Sequence, residues 1–340
     1  MPGEKPAHTR TTEQYKSGRN KHYRQELLPV NNIIEVNGLS HCYGDLKAVD
    51  DISFNVKAGE IFSFLGPNGA GKSTAINVLI TLLPLQKGNV VIAGHDLGNE
   101  PKGVRKSIGI VFQEITLDRD MTVKETLEFH GNLYSMEKKD IESRIEELLT
   151  LVELSDKKEI LTKNLSGGMK RRLEIARGLM TRPAILFLDE PTIGLDPQTR
   201  RKTWDYLRAV NDEGTTIFLT THYMDEADLL SDRISIIDHG RIIVSGTPEE
   251  LKNSLGEDII CLETPERNRA EEAVRVNGDI KSISENEDGL MIMTEKDGAH
   301  ILPELIAGLN RDGIKITAVN LKKPSMDDVF MHYTGSALRE

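Results

Sequence analysis

The run GPNGAGKST, Gly66 to Thr74, sets glycines, a lysine and two hydroxyls directly after the apolar stretch IFSFL. Glycines let backbone N–H groups close around an anion, and a helix that starts beyond the loop adds the partial positive charge of its N-terminus. The pattern fits a phosphate cradle made of Gly66, Pro67, Asn68, Gly69, Ala70, Gly71, Lys72, Ser73 and Thr74. In such a cradle Lys72 reaches the β and γ phosphates of a nucleotide, and Ser73 ligates Mg²⁺. A second apolar run, AILFLDE, ends in Asp189 and Glu190. A buried strand carries such a pair to the C-terminal edge of a sheet, where phosphate loops also lie. Asp189 suits the shell of the metal through a water, and Glu190 suits the polarisation of an attacking water whose proton it accepts. His222 ends IFLTTH and Gln113 ends IGIVFQ, two more strand ends. A histidine there can bond the γ-phosphate and hold water and Glu190 in register, and the Gln113 amide can reach the metal or the water. Taken singly, each has a plainer reading: a solvent-facing acid pair, a structural histidine, a strand-end glutamine.

Strand ends gather only on a suitable scaffold. IFSFL, AILFLDE and TTIFLTTH are short apolar strands separated by helical segments, which predicts a mainly parallel sheet covered on both faces. Ahead of them, IIEVNGLSHCYG and ISFNVKAGE alternate apolar and polar residues and predict antiparallel strands. The charged stretch from about 122 to 160 reads as a helical insertion. Beyond Gly256, IICLE, RAEEAVRV, DIKSISEN, GLMIMTEK, HILPELIAGLN and GIKITAVNL give strand, helix, strand, strand, helix, strand, a ferredoxin-like order, and KKPSMDDVFMHYTGSALRE adds a short helix. The expected organisation is a flexible segment over 1–30, an α/β domain over 31–252 with its insertion at about 115–165, and an accessory α+β domain over 256–340.

Composition narrows the setting. The chain has 340 residues, 29% charged and 38% hydrophobic, an ordinary globular balance. No window nears the roughly 18 to 20 apolar residues that cross a bilayer, and the polar start has no apolar core of a signal peptide. A membrane role would come through a partner. The formal net charge of −11 argues against a nucleic-acid surface. Cys42 and Cys261 match no metal or disulfide spacing, which suits a reducing, cytoplasmic setting.

Over about 33 to 250 the set resembles the ATP-binding subunit of ATP-binding-cassette (ABC) transporters. The phosphate loop matches 66 to 74, the glutamine loop Gln113, the signature LSGGM from Leu165, the second acidic motif ILFLDE, the D-loop GLDP at 194 to 197, and the switch histidine His222. By the same resemblance Tyr43, in HCYG, stacks on adenine, and Asp196 of the D-loop joins the ATP site. LSGGMKRRLEIARGL, THYMDEAD, PSMDDVF and the small C-terminal domain make the chain similar to daunorubicin-resistance-type exporter ATPases. It departs from the pattern twice: Ile193 stands where a small hydroxyl residue is usual before GLDP, and Met169 stands where glutamine is commoner.

The resemblance implies a head-to-tail dimer in which Ser166, Gly167 and Gly168 of one subunit cap the ATP·Mg²⁺ held by the other. The second subunit is another copy of this chain or a paralogous cassette, this chain sits peripherally on the cytoplasmic face of the cell membrane, and integral membrane permease subunits complete the exporter. The cargo expected is a drug, antibiotic or lipid-like compound. The alternative is a soluble ABC-type ATPase acting on a non-transport partner. Leu117, Met121 and Leu133 are expected either to line a groove for a permease helix or to fill the insertion's core. Arg171 and Arg172 are expected on a solvated helix face.

Overall fold

The computed structural model describes residues 32–276, 279–285 and 289–335, so the segment 1–30 lies outside the described residues. Strands β1 (Asn32–Tyr43) and β2 (Leu46–Lys57) pair antiparallel, with Val36 opposite Phe54, as their alternation predicts. The sequence reading missed the remainder of this sheet. After β3 (Ile61–Leu65) and helix α1 (Lys72–Leu79), β4 (Lys87–Ile92) joins the free edge of β1, and the short β5 (His95–Asp96) follows. Only Val90 and Ile92 of β4 are buried, too few to stand out as a pattern.

Helix α2 (Pro101–Ser107) leads to β6 (Ile108–Val111), and α3 (Val123–Leu133) and α4 (Lys138–Leu151) form the insertion. Thr122 and Glu125 close a reciprocal cap on α3, which fixes where the insertion starts. Next come α5 (Gly167–Gly178), β7 (Ile185–Asp189), α6 (Pro197–Asp212), β8 (Thr216–Thr221), α7 (Met224–Leu230), β9 (Arg233–Asp238), β10 (Arg241–Gly246) and α8 (Pro248–Leu255). The central sheet runs β10-β9-β3-β8-β7-β6, parallel throughout except for edge strand β10. Its central strands bury both faces. Ile185, Phe187 and Phe218 enter one apolar cluster with Phe62, Phe64, Ile76 and Leu79, while Leu186, Leu188 and Leu219 enter another with Leu148, Leu173 and Leu207. Unbroken apolar strands with helices on both sides are what a parallel sheet demands.

The final unit contains β11 (Asp258–Glu263), α9 (Arg267–Arg275), β12 (Ile280–Glu285), β13 (Gly289–Thr294), α10 (Gly298–Arg311) and β14 (Ala318–Lys322). Its order β12-β13-β11-β14, antiparallel at every pairing, is the ferredoxin-like arrangement. Helix α11 (Met326–Thr334), capped by Ser325 with Asp328, holds the PSMDDVF motif. Its Met326, Val329 and Phe330 pack with Met224, Ile236, Leu251 and Leu255 of the same chain. The motif therefore packs on α7 and α8 of its own chain, and Met224 of that cluster lies two residues beyond His222. Among the described residues no helix is long and apolar enough to cross a membrane.

Candidate active site

The loop between β3 and α1 is shaped by lack of room. A Cβ at Gly66 would stand 2.2 Å from the Ile237 carbonyl oxygen. At Gly71, φ is +101° and a Cβ would stand 2.3 Å from the Ala48 carbonyl oxygen, so both steric and backbone demands call for glycine. Helix α1 has no side-chain cap and no acid in its first turn, which leaves its leading N–H groups open to an anion.

Lys72 is buried. Its ammonium donates to the carbonyls of Gly66 (2.8 Å) and Pro67 (3.1 Å) and lies 3.4 Å from Glu190 Oε1. Burial pulls its pKa below the usual lysine range, and the neighbouring Glu190 charge opposes that pull. Ser73 Oγ donates to Asp189 Oδ1 over 3.3 Å, bringing both proposed metal ligands to one point. Thr220 organises the acid pair. Its hydroxyl donates to Asp189 Oδ1 (2.5 Å) and accepts from the Glu190 N–H (3.1 Å), and its carbonyl accepts from the same N–H (3.1 Å). Sequence reasoning passed over Thr220; the paired threonines closing IFLTTH were the available signal.

Glu190 takes φ +47°, a left-handed conformation that costs a non-glycine residue on the order of 1–3 kcal/mol. That turn swings its carboxylate off the strand and in between Lys72 and His222. Glu190 Oε2 and His222 Nδ1 stand 3.2 Å apart, yet both are buried atoms without an aligned hydrogen-bond partner. Two unpartnered polar atoms beside an uncapped helix start and a buried ammonium fit a triphosphate and its attacking water. Ser73 with Asp189 fits Mg²⁺, which needs few protein ligands when phosphates and waters fill its octahedron.

The structure thus brings Lys72, Ser73, Asp189, Glu190 and His222 together. The others stand apart. Tyr43, half exposed at the end of β1, has its ring edge-on to His41. Gln113 is exposed just beyond β6. Asp196 caps α6, accepting from Gln198 N (3.1 Å), Thr199 N (3.0 Å) and Thr199 Oγ1 (2.6 Å). Ser166 caps α5 by accepting from Met169 N, and it and Gly167 face outward. Along α5 the expected solvated arginines are in fact packed. Arg171 is 3% exposed and bonds the carbonyls of Phe112 and Gln113, and Arg172 donates to the Val152 carbonyl and the Tyr206 hydroxyl. Charge alone misled here, because a long polar side chain can be buried wherever backbone carbonyls await donors. In the insertion, Met121 and Leu133 line a groove with Phe112, Phe129 and Tyr134, while Leu117 belongs to the core.

Residues 49–193 match the ABC transporter family model, and 246–334 match the model described as the ATP-binding protein DrrA1-3-like C-terminal domain. The daunorubicin/doxorubicin resistance ATP-binding protein DrrA of Streptomyces peucetius is 40% identical over 304 residues, covering 89% of this chain and 92% of that protein. The chain belongs to the ATP-binding subunits of ABC transporters. The linearmycin resistance ATP-binding protein LnrL of Bacillus subtilis is 36% identical to this ABC subunit, over 91% of this chain and 100% of that protein. Among solved structures, a dimeric post-hydrolysis ATP-binding cassette bound to ADP and Pi is 28% identical, with a TM-score of 0.57, covering 63% of this chain and 98% of that one. This ABC subunit is an ATPase with a nucleotide-binding cassette, and cassettes of its family work as dimers with membrane permeases.

Proposed function

We propose that this subunit, peripheral on the cytoplasmic face of the membrane, binds ATP with Mg²⁺ and pairs head to tail, with a second copy or a paralogous cassette, to drive export through separate membrane-spanning permease chains. The observation that carries this reading is the division of the chemistry. Lys72, Ser73, Asp189, Glu190 and His222 converge on one loop, whereas Ser166 and Gly167 stand exposed at the start of α5, where the Ser166 hydroxyl bonds Met169 N within its own helix. A surface cap with open N–H groups is useful to a phosphate presented by another chain.

In this reading the loop and Lys72 hold the β and γ phosphates, Ser73 and Asp189 hold Mg²⁺ with Gln113 at its edge, and Tyr43 offers its ring to adenine. Bound Mg²⁺ neutralises phosphate charge during transfer. Glu190 accepts the proton of the attacking water, and His222 holds Glu190 and the γ-phosphate in register. Asp196, at the α6 cap, completes the face met by the other subunit. The relatives named for daunorubicin, doxorubicin and linearmycin support a cargo among drug-like, antibiotic or lipid-like compounds. Turnover per chain measured against protein concentration tests the shared site: it should rise as dimers form, and a flat profile would overturn the reading.

The groove beside Gln113, about 410 Å³ and lined by Phe112, Met121, Phe129, His130, Leu133 and Tyr134, fits a cytoplasmic helix of the permease. Burial, with Arg177 nearby, pushes His130 down to about 4. Its depressed value means that the unfolded chain binds the extra proton first, so stability should climb as pH rises from about 4 to 6.5. His130→Gln should flatten that part of the curve, by less than about 1.4 kcal/mol per pH unit given the group's partial exposure. Chemical denaturation of both proteins at several pH values checks this, and parallel curves would refute it.

A further inference from the structure

Helix α5 carries a buried ion pair that the reaction chemistry leaves unused. Arg171 is 3% exposed and Glu174 fully buried, with Arg171 Nη1 3.2 Å from Glu174 Oε2. Glu174 Oε1 also lies 3.6 Å from Arg177 Nη2 on the same helix, and the pair's remaining hydrogen bonds go to one irregular segment. Arg171 Nη1 donates to the Phe112 carbonyl and Nη2 to the Gln113 carbonyl (2.7 Å). Glu174 Oε1 accepts from Thr116 N (2.7 Å) and Thr116 Oγ1 (3.2 Å). One turn later Arg177 donates to Thr116 Oγ1 (2.7 Å) and to the Thr116 carbonyl (3.3 Å). Residues 112–116 follow β6 outside any helix or strand, so these side chains take the place of a ladder of backbone partners.

We propose that Arg171 and Glu174 are positioning residues that fasten the Gln113 segment to the helix headed by Ser166, so that the two move as one body. This rests on the head-to-tail reading above, in which Gln113 serves the nucleotide of its own chain and Ser166 serves that of the other. The clasp then links one ATP site to its twin. It also extends to the permease groove, because Phe112, Thr116 and Arg177 line both. A bulk stability role explains the arrangement less well. Apolar residues of similar volume commonly stabilise as much as a buried ion pair, but they cannot fix the direction of two carbonyls and an amide.

Two variants separate the roles. In Arg171→Met/Glu174→Gln the buried pair is removed together, Thr116 keeps an acceptor and Arg177 keeps its bonds to Thr116, but the guanidinium fork on Phe112 and Gln113 is gone. In Arg171→Lys the charge is kept, but a point cation cannot span both carbonyls and the carboxylate. Each is measured as the full chain for thermal midpoint, KM for MgATP and kcat. The result expected is a midpoint close to wild type, KM within about 3-fold, and kcat lowered about 10-fold or more, the signature of misplacement felt in the transition state. In wild type, ATP-induced amide protection of 112–116 and of 166–169 should rise together, and in both variants the two should separate. Wild-type kcat in a well-folded double variant, or kcat falling only in step with the folded fraction, would overturn the clasp alone. Wild-type protein whose turnover per chain ignores concentration would overturn the head-to-tail reading and the clasp with it.

Discussion

Glu190→Gln should lower ATP turnover by about 10²–10⁴-fold, the range typical of losing a positioned general base, while ATP binding persists. The geometry gives both halves of that result. Glu190 is the carboxylate turned off β7 toward the loop, held there by a left-handed backbone that the Thr220 bonds stabilise, and glutamine can keep the same backbone. An amide cannot take the proton of a water, so the chemical step fails. Binding is affected oppositely. In the free protein, Glu190 lies 3.4 Å from the Lys72 ammonium and competes for it with any incoming phosphate. Neutralising Glu190 leaves Lys72 on the Gly66 and Pro67 carbonyls and ready for the anion. The variant should therefore hold ATP at least as tightly as wild type and accumulate as an ATP-bound dimer. Filter binding and gel filtration with MgATP measure the two effects. Unchanged turnover would remove Glu190 from the role of base.

The residues of that site were legible in the sequence because each sits where a strand stops. Apolar five- or six-residue runs ending in Asp189–Glu190 and in His222 can only be buried strands, and a parallel sheet puts all their ends on one edge. The ferredoxin-like order of the last unit was legible for the same reason, since its strands and helices differ plainly in period. What escaped had no such pattern. β4 buries only Val90 and Ile92, and pairing with β1 rather than composition makes it a strand. Thr220 acts through a hydroxyl whose two partners lie 31 and 30 residues away along the chain. Arg171 and Arg172 read as charge on a solvated helix face, yet tertiary contacts decide that both are packed, Arg171 against the irregular segment after β6. Leu117 and Met121 are four apart in the irregular stretch before α3, and tertiary packing rather than any sequence period puts one in the core and the other in the groove.

Ser166→Arg should abolish most hydrolysis and leave nucleotide affinity nearly intact. Losing the α5 cap costs about 1 kcal/mol, too little to unfold the domain. The Ser166 hydroxyl bonds Met169 N within its own helix rather than the loop of its own chain, so ATP still finds Lys72, Ser73 and the loop. The damage falls on the other subunit, where an arginine replaces a small hydroxyl at the surface that must close over phosphate. Losing one such positioned donor typically costs about 10²–10³-fold in turnover, and the added bulk also hinders closure. Trans complementation makes the argument sharp. Mixed with Lys72→Ala chains, which lack the loop lysine but keep Ser166, the variant supplies a working loop to a working cap in one of the two sites of each mixed dimer. An equal mixture should regain about a quarter of wild-type turnover, because two-fold pairing makes about half of the dimers mixed. If each site were completed within its own chain, the mixture would stay as inactive as either parent, and normal hydrolysis by Ser166→Arg alone would refute the shared site outright.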